Sequence, residues 1–175
     1  MKRIMVIGCC GAGKSTLSKK IQDITGLPLY HLDQIYWLPN WTEPAKEDWL
    51  EKAAEVVKKE KWIIDGNYGS SIDQRLAYAD TIIFLDRSRW ICLWRVTKRI
   101  LSNYKQKRFD MAEGCYERFD WKFMVYVFHF NDMKKPKILE RLKRVGDKKT
   151  IHVCKSDKDV DRLLKRLKRQ IIPLS

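Results

Sequence analysis

Gly8-Cys9-Cys10-Gly11-Ala12-Gly13-Lys14-Ser15 is the stretch of this sequence that decides the fold. It matches the pattern G-x-x-x-x-G-K-[ST], and its flanks have the character that the pattern requires. Residues 4–7 before it form a short apolar run typical of a buried strand, and residues 16–24 after it carry apolar side chains at helical spacing. A strand, a glycine-rich turn and a helix aim backbone N–H groups at one point, so the sequence predicts a polyphosphate site there.

Each residue type in this glycine-rich stretch suits a nucleoside triphosphate. Gly8, Gly11 and Gly13 allow the backbone to wrap a phosphate without Cβ clashes. Lys14 would place its ammonium between the terminal phosphates, and the Ser15 hydroxyl would coordinate Mg²⁺. A glycine-rich turn that contains Lys-Ser by chance is the alternative, and the flanking strand and helix argue against it. We therefore expect this chain to bind a nucleoside triphosphate.

The composition indicates one α/β domain over residues 1–175. A hydrophobic fraction of 45% is ample for a core and excludes global disorder. No apolar run approaches the length of a membrane span and no secretory signal precedes the first strand, so we expect no membrane partner. The five cysteines show neither CxxC spacing nor a disulfide framework. A cytoplasmic protein with reduced thiols is the prediction.

The net charge of +14 lies entirely in the second half of the chain. Residues 1–80 contain 11 basic and 11 acidic side chains, whereas residues 81–175 contain 25 basic and 11 acidic ones. Two interpretations stay open. The excess is either a solvated basic surface beside polyanionic ligands or a nucleic-acid-binding surface.

Strand-like and helical patterns alternate along the chain. Apolar runs typical of strands recur at residues 4–7, 29–32, 62–64, 81–85 and 150–154. Helical patterns fall at residues 16–24, 43–60, 71–78, 88–104 and 120–131, from near Pro136, and at 157–170, the last opened by a Ser156-x-x-Asp159 capping box. This alternation predicts a parallel sheet with helices on both faces and ligands beyond the carboxyl ends of the strands.

Acidic side chains follow several of these strands and are expected to converge on one cleft with the glycine-rich stretch. Asp65, before Gly66, either holds Mg²⁺ opposite Ser15 or forms a simple Asp-Gly turn. Asp33 would orient or deprotonate an acceptor hydroxyl, or bind the water shell of the metal. Asp86-Arg87 is expected at the same edge.

The segment around Asp33 is aromatic. Tyr36, Trp37 and Trp41 either sandwich a flat ring or pack against the following helix, and the sequence favours neither. His31 is more typical of a satisfied core or turn histidine than of a catalytic one.

Basic residues would close the cleft from the other side. Arg95 and Arg99 lie four apart on one helix and form either a clamp for phosphates or a solvated stripe. Residues 102–119 are polar and basic with weak periodicity, which predicts a mobile lid that excludes water from an activated phosphate.

Taken in order, these features resemble the adenylate-kinase-like P-loop kinases. Within that group, Leu-Asp-Gln-Ile-Tyr-Trp at 32–37, Trp-Ile-Ile-Asp-Gly-Asn-Tyr at 62–68 and Ala-Asp-Thr-Ile-Ile-Phe-Leu-Asp at 79–86 are similar to the bacterial DNA topology modulation proteins. The resemblance covers nearly the whole chain.

The resemblance implies an α/β P-loop NTPase fold, with a five-stranded parallel sheet flanked by helices and a small basic lid at about 102–119. It implies ATP and Mg²⁺, and a phosphoryl acceptor bound by about residues 31–60. The implied phosphate-binding residues are Gly8, Gly11, Ala12, Gly13, Lys14, Ser15 and Thr16. The implied catalytic residues are Lys14, Asp33, Arg95, Arg99 and Arg118, and the implied metal ligands are Ser15 and Asp65.

The chain departs from adenylate kinases where those enzymes grip the phosphate of their acceptor. Tyr36 and Gly69 stand at two arginine positions, His129 stands near the position of a second arginine that follows the lid, and Arg75 is a candidate substitute for one of them. Three functions therefore stay open: a kinase of an unidentified small molecule, a nucleotide-regulated DNA- or RNA-binding protein that affects DNA topology, and an NTPase without an acceptor.

Overall fold

The computed structural model describes residues 1–106 and 108–171, and its centre is a five-stranded parallel sheet. The strands are β1 (Arg3–Gly8), β2 (Leu29–His31), β3 (Trp62–Asp65), β4 (Thr81–Leu85) and β5 (Thr150–Cys154). Their order is β2-β3-β1-β4-β5, and every neighbouring pair is parallel. The predicted five-stranded sheet is confirmed.

Eight α-helices lie between and after the strands in the described residues. They are α1 (Lys14–Thr25), α2 (Leu32–Tyr36), α3 (Lys46–Lys58), α4 (Ile72–Tyr78), α5 (Arg89–Ser102), α6 (Trp121–Met133), α7 (Lys135–Val145) and α8 (Asp157–Ile171). Two single-turn 3₁₀ segments, Pro39–Trp41 and Gly146–Lys148, complete the chain. In this part of the chain, no helix is long and apolar enough to cross a membrane.

The core lies on both sides of the three inner strands β1, β3 and β4. Their apolar side chains are fully buried because each of these strands has a neighbour on either edge and helices above and below. Helices α1 and α8 pack together, whereas α4 contacts α3. The crossover from β1 to β2 and the crossover from β3 to β4 run in opposite directions along the sheet. Because both are right-handed, α1 and α4 lie on opposite faces of the sheet.

The second strand ends one residue earlier than its sequence predicted. It is an edge strand that pairs only with β3, and its last residue His31 lies opposite Asp65, where β3 also ends. Without a partner strand, Leu32 turns into α2, so that Asp33 lies in the first turn of a helix rather than after a strand. This short strand brings His31, Asp33 and Asp65 to one edge of the sheet.

The helix predicted at residues 43–60 is shorter than expected. It runs from Lys46 to Lys58, because the preceding chain is engaged elsewhere: the Leu38 N–H donates to the Thr42 carbonyl at 3.0 Å.

The capping box of α8 is confirmed. The Asp159 N–H donates to the Ser156 hydroxyl at 3.2 Å, and the Ser156 N–H donates to the Asp159 carboxylate at 2.8 Å.

Candidate active site

The glycine-rich stretch joins β1 to α1 and is pressed against α5. Gly8, Gly11 and Gly13 have φ angles of 149°, 80° and 96°, a region that favours glycine. A Cβ atom on Gly11 would lie 2.4 Å from the carbonyl oxygen of Cys92. This oxygen belongs to the backbone of α5, so it cannot shift without distorting that helix. The shape of this loop is therefore fixed by contacts on both sides.

Helix α1 begins at Lys14, within the glycine-rich stretch, and its N-terminus has no side-chain cap. The first amides of a helix lack partners within it, and Gly13 at the N-cap position has no side chain that could accept from them. The first turn also carries no acidic residue, so nothing in it neutralises the positive end of the helix dipole. The Lys14 ammonium donates to the Cys9 carbonyl at 3.2 Å, which keeps it beside the loop. The arrangement suits a bound anion.

A buried ion pair closes the other side of the cleft. The register of β2 and β3 places His31 beside Asp65, and His31 Nδ1 lies 2.9 Å from Asp65 Oδ1. Burial lowers the pKa of His31, but the hydrogen bond and charge of Asp65 outweigh it, and the pKa of His31 is raised. His31 is thus a buried, satisfied histidine, as its sequence context favoured, although it lies within the cleft.

Asp33 lies near the lysine of the glycine-rich loop. The Tyr68 hydroxyl donates to Asp33 Oδ1 at 2.7 Å. Burial raises the pKa of Asp33, while that hydrogen bond and the charge of Lys14 act in the opposite direction. Burial lowers the pKa of Lys14, but interactions with the Cys10 thiol and with the Asp33 and Asp65 carboxylates outweigh it and the pKa is raised. The structure therefore brings Lys14, Asp33 and Asp65 together.

Arg95 of α5 lies beside the glycine-rich loop, and the charge of Arg99 acts on Cys10 of the same loop. Arg95 Nη1 would lie 3.7 Å from a Cβ atom on Gly13, which puts its guanidinium beside the glycine-rich loop. Asp157 at the start of α8 holds it at 3.0 Å. Arg99, one turn later, pairs with Glu117 at 3.2 Å.

Sequence reasoning missed the arginine that segment 102–119 brings to the cleft. Arg108 lies 2.5 Å from Asp110 and 3.5 Å from Glu117, and its charge acts on Asp33. Arg118, the predicted catalytic arginine, is exposed, and its guanidinium lies 5.6 Å from the centre of the Trp41 ring. Only the position of Arg108 in a basic segment could have identified it.

Asp110 is a second residue that the sequence did not indicate. Burial raises its pKa, but Arg108 and a hydrogen bond from Ser15 outweigh that effect and lower it, so Asp110 is ionised. One oxygen each of Asp65 and Asp110 is buried without a hydrogen-bond partner among the described residues. With the Ser15 hydroxyl, these oxygens are the donor type that Mg²⁺ prefers. No three His, Cys, Asp or Glu side chains of residues 1–106 and 108–171 converge as a metal cage, so the residues fit an ion that takes its other ligands from phosphates and water.

Arg75 supports the site from behind and does not face it. Its side chain is fully buried and donates to the carbonyls of Gly66, Asn67 and Tyr68 at 2.8–3.0 Å, and to the Ser71 hydroxyl at 3.2 Å. These bonds fix the loop after β3. The expectation that Arg75 replaces an acceptor-binding arginine is wrong, because its guanidinium is buried and donates to three backbone carbonyls and to the Ser71 hydroxyl.

The aromatic residues after β2 mostly pack on one another. The Tyr36 ring lies 5.1 Å from that of Trp49 on α3 and 4.6 Å from that of Tyr68, so Tyr36 packs against the following helix. Trp37 and Trp41 contact each other at 5.4 Å and cover a small apolar cluster of segment 102–119.

The expected convergence fails for Asp86-Arg87. Asp86 pairs with Lys135 of α7 at 2.7 Å, and Arg87 pairs with Asp157 at 2.5 Å. Both side chains are drawn toward the carboxyl-terminal helices. Arg87 contributes indirectly, because Asp157 is the same carboxylate that holds Arg95.

Comparison with known proteins gives a relative of unassigned function. No protein-family model matches the chain. The uncharacterized protein YqaC of Bacillus subtilis is 33% identical over 109 residues, which are 59% of this chain and 59% of YqaC. The match thus spans about three fifths of the length of that relative, and the resemblance to DNA topology modulation proteins stays a prediction.

Solved structures agree on the fold. Shikimate kinase from Acinetobacter baumannii, in complex with shikimate, superposes with a TM-score of 0.59 at 12% identity and covers 98% of this chain and 93% of its own. An unliganded sugar kinase from Janibacter sp. HTCC2649 gives 0.54 at 16% identity, with coverage of 99% and 96%. At such identities the likeness shows the fold alone: the chain has the P-loop NTPase fold found in small-molecule kinases.

The His31–Asp65 pair predicts a pH dependence of stability. Because the folded pKa of His31 lies above its ordinary value of 6.5, the stabilisation is complete below pH 6.5 and is lost as the pH rises through the folded pKa. Urea unfolding of the wild type and of His31→Asn should give a stability difference that shrinks from pH 5.5 to pH 8.5. A difference between the wild type and His31→Asn that is independent of pH would contradict the pair.

Arg75→Met should destabilise the fold strongly. The variant leaves the carbonyls of Gly66, Asn67 and Tyr68 without their buried donor, so we expect the free energy of unfolding to fall by about 3 kcal/mol. Arg141→Met is the control, because Arg141 forms an ion pair with the exposed Asp73 and should cost less than about 1 kcal/mol. Equal losses in the two variants, measured by urea unfolding, would contradict the supporting role of Arg75.

Proposed function

We propose that this protein is a Mg²⁺-dependent kinase that transfers the γ-phosphoryl group of ATP to a hydroxyl of a small molecule. One observation carries the proposal: Lys14 of the glycine-rich loop and the carboxylate of Asp33 lie close enough for each charge to shift the pKa of the other group. A cation that anchors phosphate, facing a carboxylate that can receive a proton, is what transfer to a hydroxyl requires.

The donor would lie along the glycine-rich loop. Amides at the start of α1, together with Lys14, would hold the terminal phosphates, and Arg95 would contact the nucleotide from α5. The adenine base of the nucleotide would lie toward Lys155 and Ser156 after β5, next to the Asp157 carboxylate that positions Arg95.

Ser15 and Asp65 would hold the metal ion. Asp110, which accepts a hydrogen bond from the Ser15 hydroxyl, would lie beside it. Bound Mg²⁺ neutralises phosphate charge and orients the phosphoryl group for in-line attack. The buried and unpartnered carboxylate oxygens of Asp65 and Asp110 support this assignment.

The chemistry assigned to the chain itself centres on Asp33. The acceptor oxygen forms a bond to the γ-phosphorus while the bond from that phosphorus to the bridging oxygen breaks, ADP leaves, and the hydroxyl proton passes to the Asp33 carboxylate. Burial raises the pKa of Asp33, which makes it a better base near neutral pH. Lys14, Arg99 and Arg108 would stabilise the charge that develops on the transferred group.

The acceptor side favours a molecule that is recognised through its hydroxyl groups. Arg75, the candidate for gripping an acceptor phosphate, is engaged by the backbone, whereas Asp33 and the Tyr68 hydroxyl line the cleft. The solved neighbours are named as kinases of a sugar and of shikimate, which supports a small acceptor here.

A label-transfer screen tests the proposal. The protein is incubated with γ-³²P-ATP and Mg²⁺ against nucleosides, nucleoside monophosphates, sugars and small hydroxy acids, and the products are separated by chromatography. Label is expected on one hydroxylated class at a rate well above release to water. Label found only in inorganic phosphate would contradict the kinase assignment and indicate an NTPase. Calorimetry that detects no binding of ATP with Mg²⁺ would overturn nucleotide binding as well.

Lys14→Ala should abolish transfer. The loss of the ammonium should reduce kcat/KM by roughly 1,000-fold, or about 4 kcal/mol of transition-state stabilisation, and should weaken ATP binding in calorimetry. Lys20→Ala removes an exposed lysine from the same helix and should change both quantities less than twofold. Retained turnover in Lys14→Ala would refute the assignment.

Arg108→Met and Arg118→Met should differ. Arg108 pairs with Glu117 and its charge acts on Asp33, so its loss should lower kcat roughly 100-fold, whereas the loss of the exposed Arg118 should lower kcat less than threefold. Transfer rates measured at saturating ATP decide between the two arginines. The reverse order would restore the role that the sequence predicted for Arg118.

A further inference from the structure

Helices α5 and α6 each present a row of large apolar side chains to solvent. On α5, Trp90, Trp94 and Leu101 are 68%, 62% and 77% exposed, and on α6, Trp121 and Val125 are 69% and 40% exposed. Their spacings of four, seven and four residues put each row on one face of its helix. We call these five side chains the α5–α6 face.

The two rows lie side by side because the helices are antiparallel neighbours. Near the start of α5, the Trp90 ring contacts Phe128, late in α6, at 5.7 Å. Near the end of α5, the Arg99 guanidinium lies 6.0 Å from the Phe123 ring, early in α6. These contacts show that the two helices that carry the exposed rows lie next to each other along their length.

Two cations beside this surface, Lys98 and Arg89, contact side chains of the molecule itself. Lys98 lies 5.3 Å from the centre of the Trp94 ring, and Arg89 makes a two-pronged contact with Asp132 at 2.9 and 2.6 Å. A polyanion would be held by cations that are free to meet its phosphates. The five side chains of the α5–α6 face are themselves apolar, so an apolar partner fits this surface better than a polyanion does.

The size of the α5–α6 face matches one half of a protein interface. Five large apolar side chains exposed to this degree present on the order of 600 Å², close to the roughly 800 Å² that each partner contributes to a standard interface. Monomeric proteins rarely leave apolar patches of this size uncovered.

We propose that two copies of this chain associate through the α5–α6 face about a two-fold axis. An isologous contact sets each apolar row against the same surface of the partner, so the face is its own complement and the four helices bury it together. Helix α5 also carries Arg95 and Arg99, so the association holds the helix that supplies the arginines of the cleft.

Light scattering and sedimentation equilibrium test this proposal at 5–100 µM protein. The wild type should have twice the mass of the 20.9 kDa chain. Trp94→Glu should weaken association at least 100-fold with an unchanged circular dichroism spectrum, and Leu101→Glu should do the same, which keeps the test valid if one variant misfolds. Leu139→Glu, at a 40% exposed position on α7, is the matched control and should remain dimeric.

Salt distinguishes this dimer from other occupants of the face. Screening of the +14 charge should strengthen self-association between 0.15 and 0.5 M NaCl, whereas binding to nucleic acid or to an anionic membrane should weaken. A monomer at every concentration and salt, or a dimer that both glutamate variants leave intact, would overturn the proposal. Binding of a monomeric wild type to oligo-dT or to phosphatidylserine vesicles, lost in Trp94→Glu, would overturn it in favour of that partner.

Discussion

The close approach of the glycine-rich loop to its neighbours is the constraint on which the rest of the structure depends. A Cβ atom on Gly8 would lie 2.7 Å from the Leu85 carbonyl oxygen, and one on Gly11 would lie 2.4 Å from that of Cys92. These contacts tie the loop to β4 and α5 through backbone atoms. The start of α1, the lysine at its first turn and the arginines of α5 have defined relative positions because this loop cannot relax away from either neighbour.

The elements that the sequence predicted well are those whose pattern is decided locally. The inner strands are short apolar runs bounded by polar residues, and α5 and α8 carry apolar residues at helical spacing with capping side chains at their starts. The errors lie where tertiary pairing decides the boundary. β2 stops at His31 because β3 stops opposite it, and α3 starts late because Thr42 pairs with Leu38.

The candidate site divides in the same way. The glycine-rich loop, Asp33 and Asp65 could be named from sequence, since their positions follow from strands and their ends. Arg108 and Asp110 could not, because residues 102–119 have no helical or strand period that would indicate which side chains turn inward. The expectation that Arg75 binds an acceptor phosphate failed for a related reason. Its guanidinium donates to three backbone carbonyls, and those carbonyls are brought to it only by the fold.

Glu117 has a consequence for how tightly the cleft can hold its ligand. Its carboxylate is shared by Arg99, on a helix, and Arg108, in the irregular segment that follows. A phosphate that engages both arginines must exchange with a resident counter-ion, so the free energy gained is the difference between two anions and not the whole attraction of two cations. In the proposed kinase, such an exchange would moderate the affinity for the nucleotide, and the product nucleotide would leave without leaving buried positive charge unpaired.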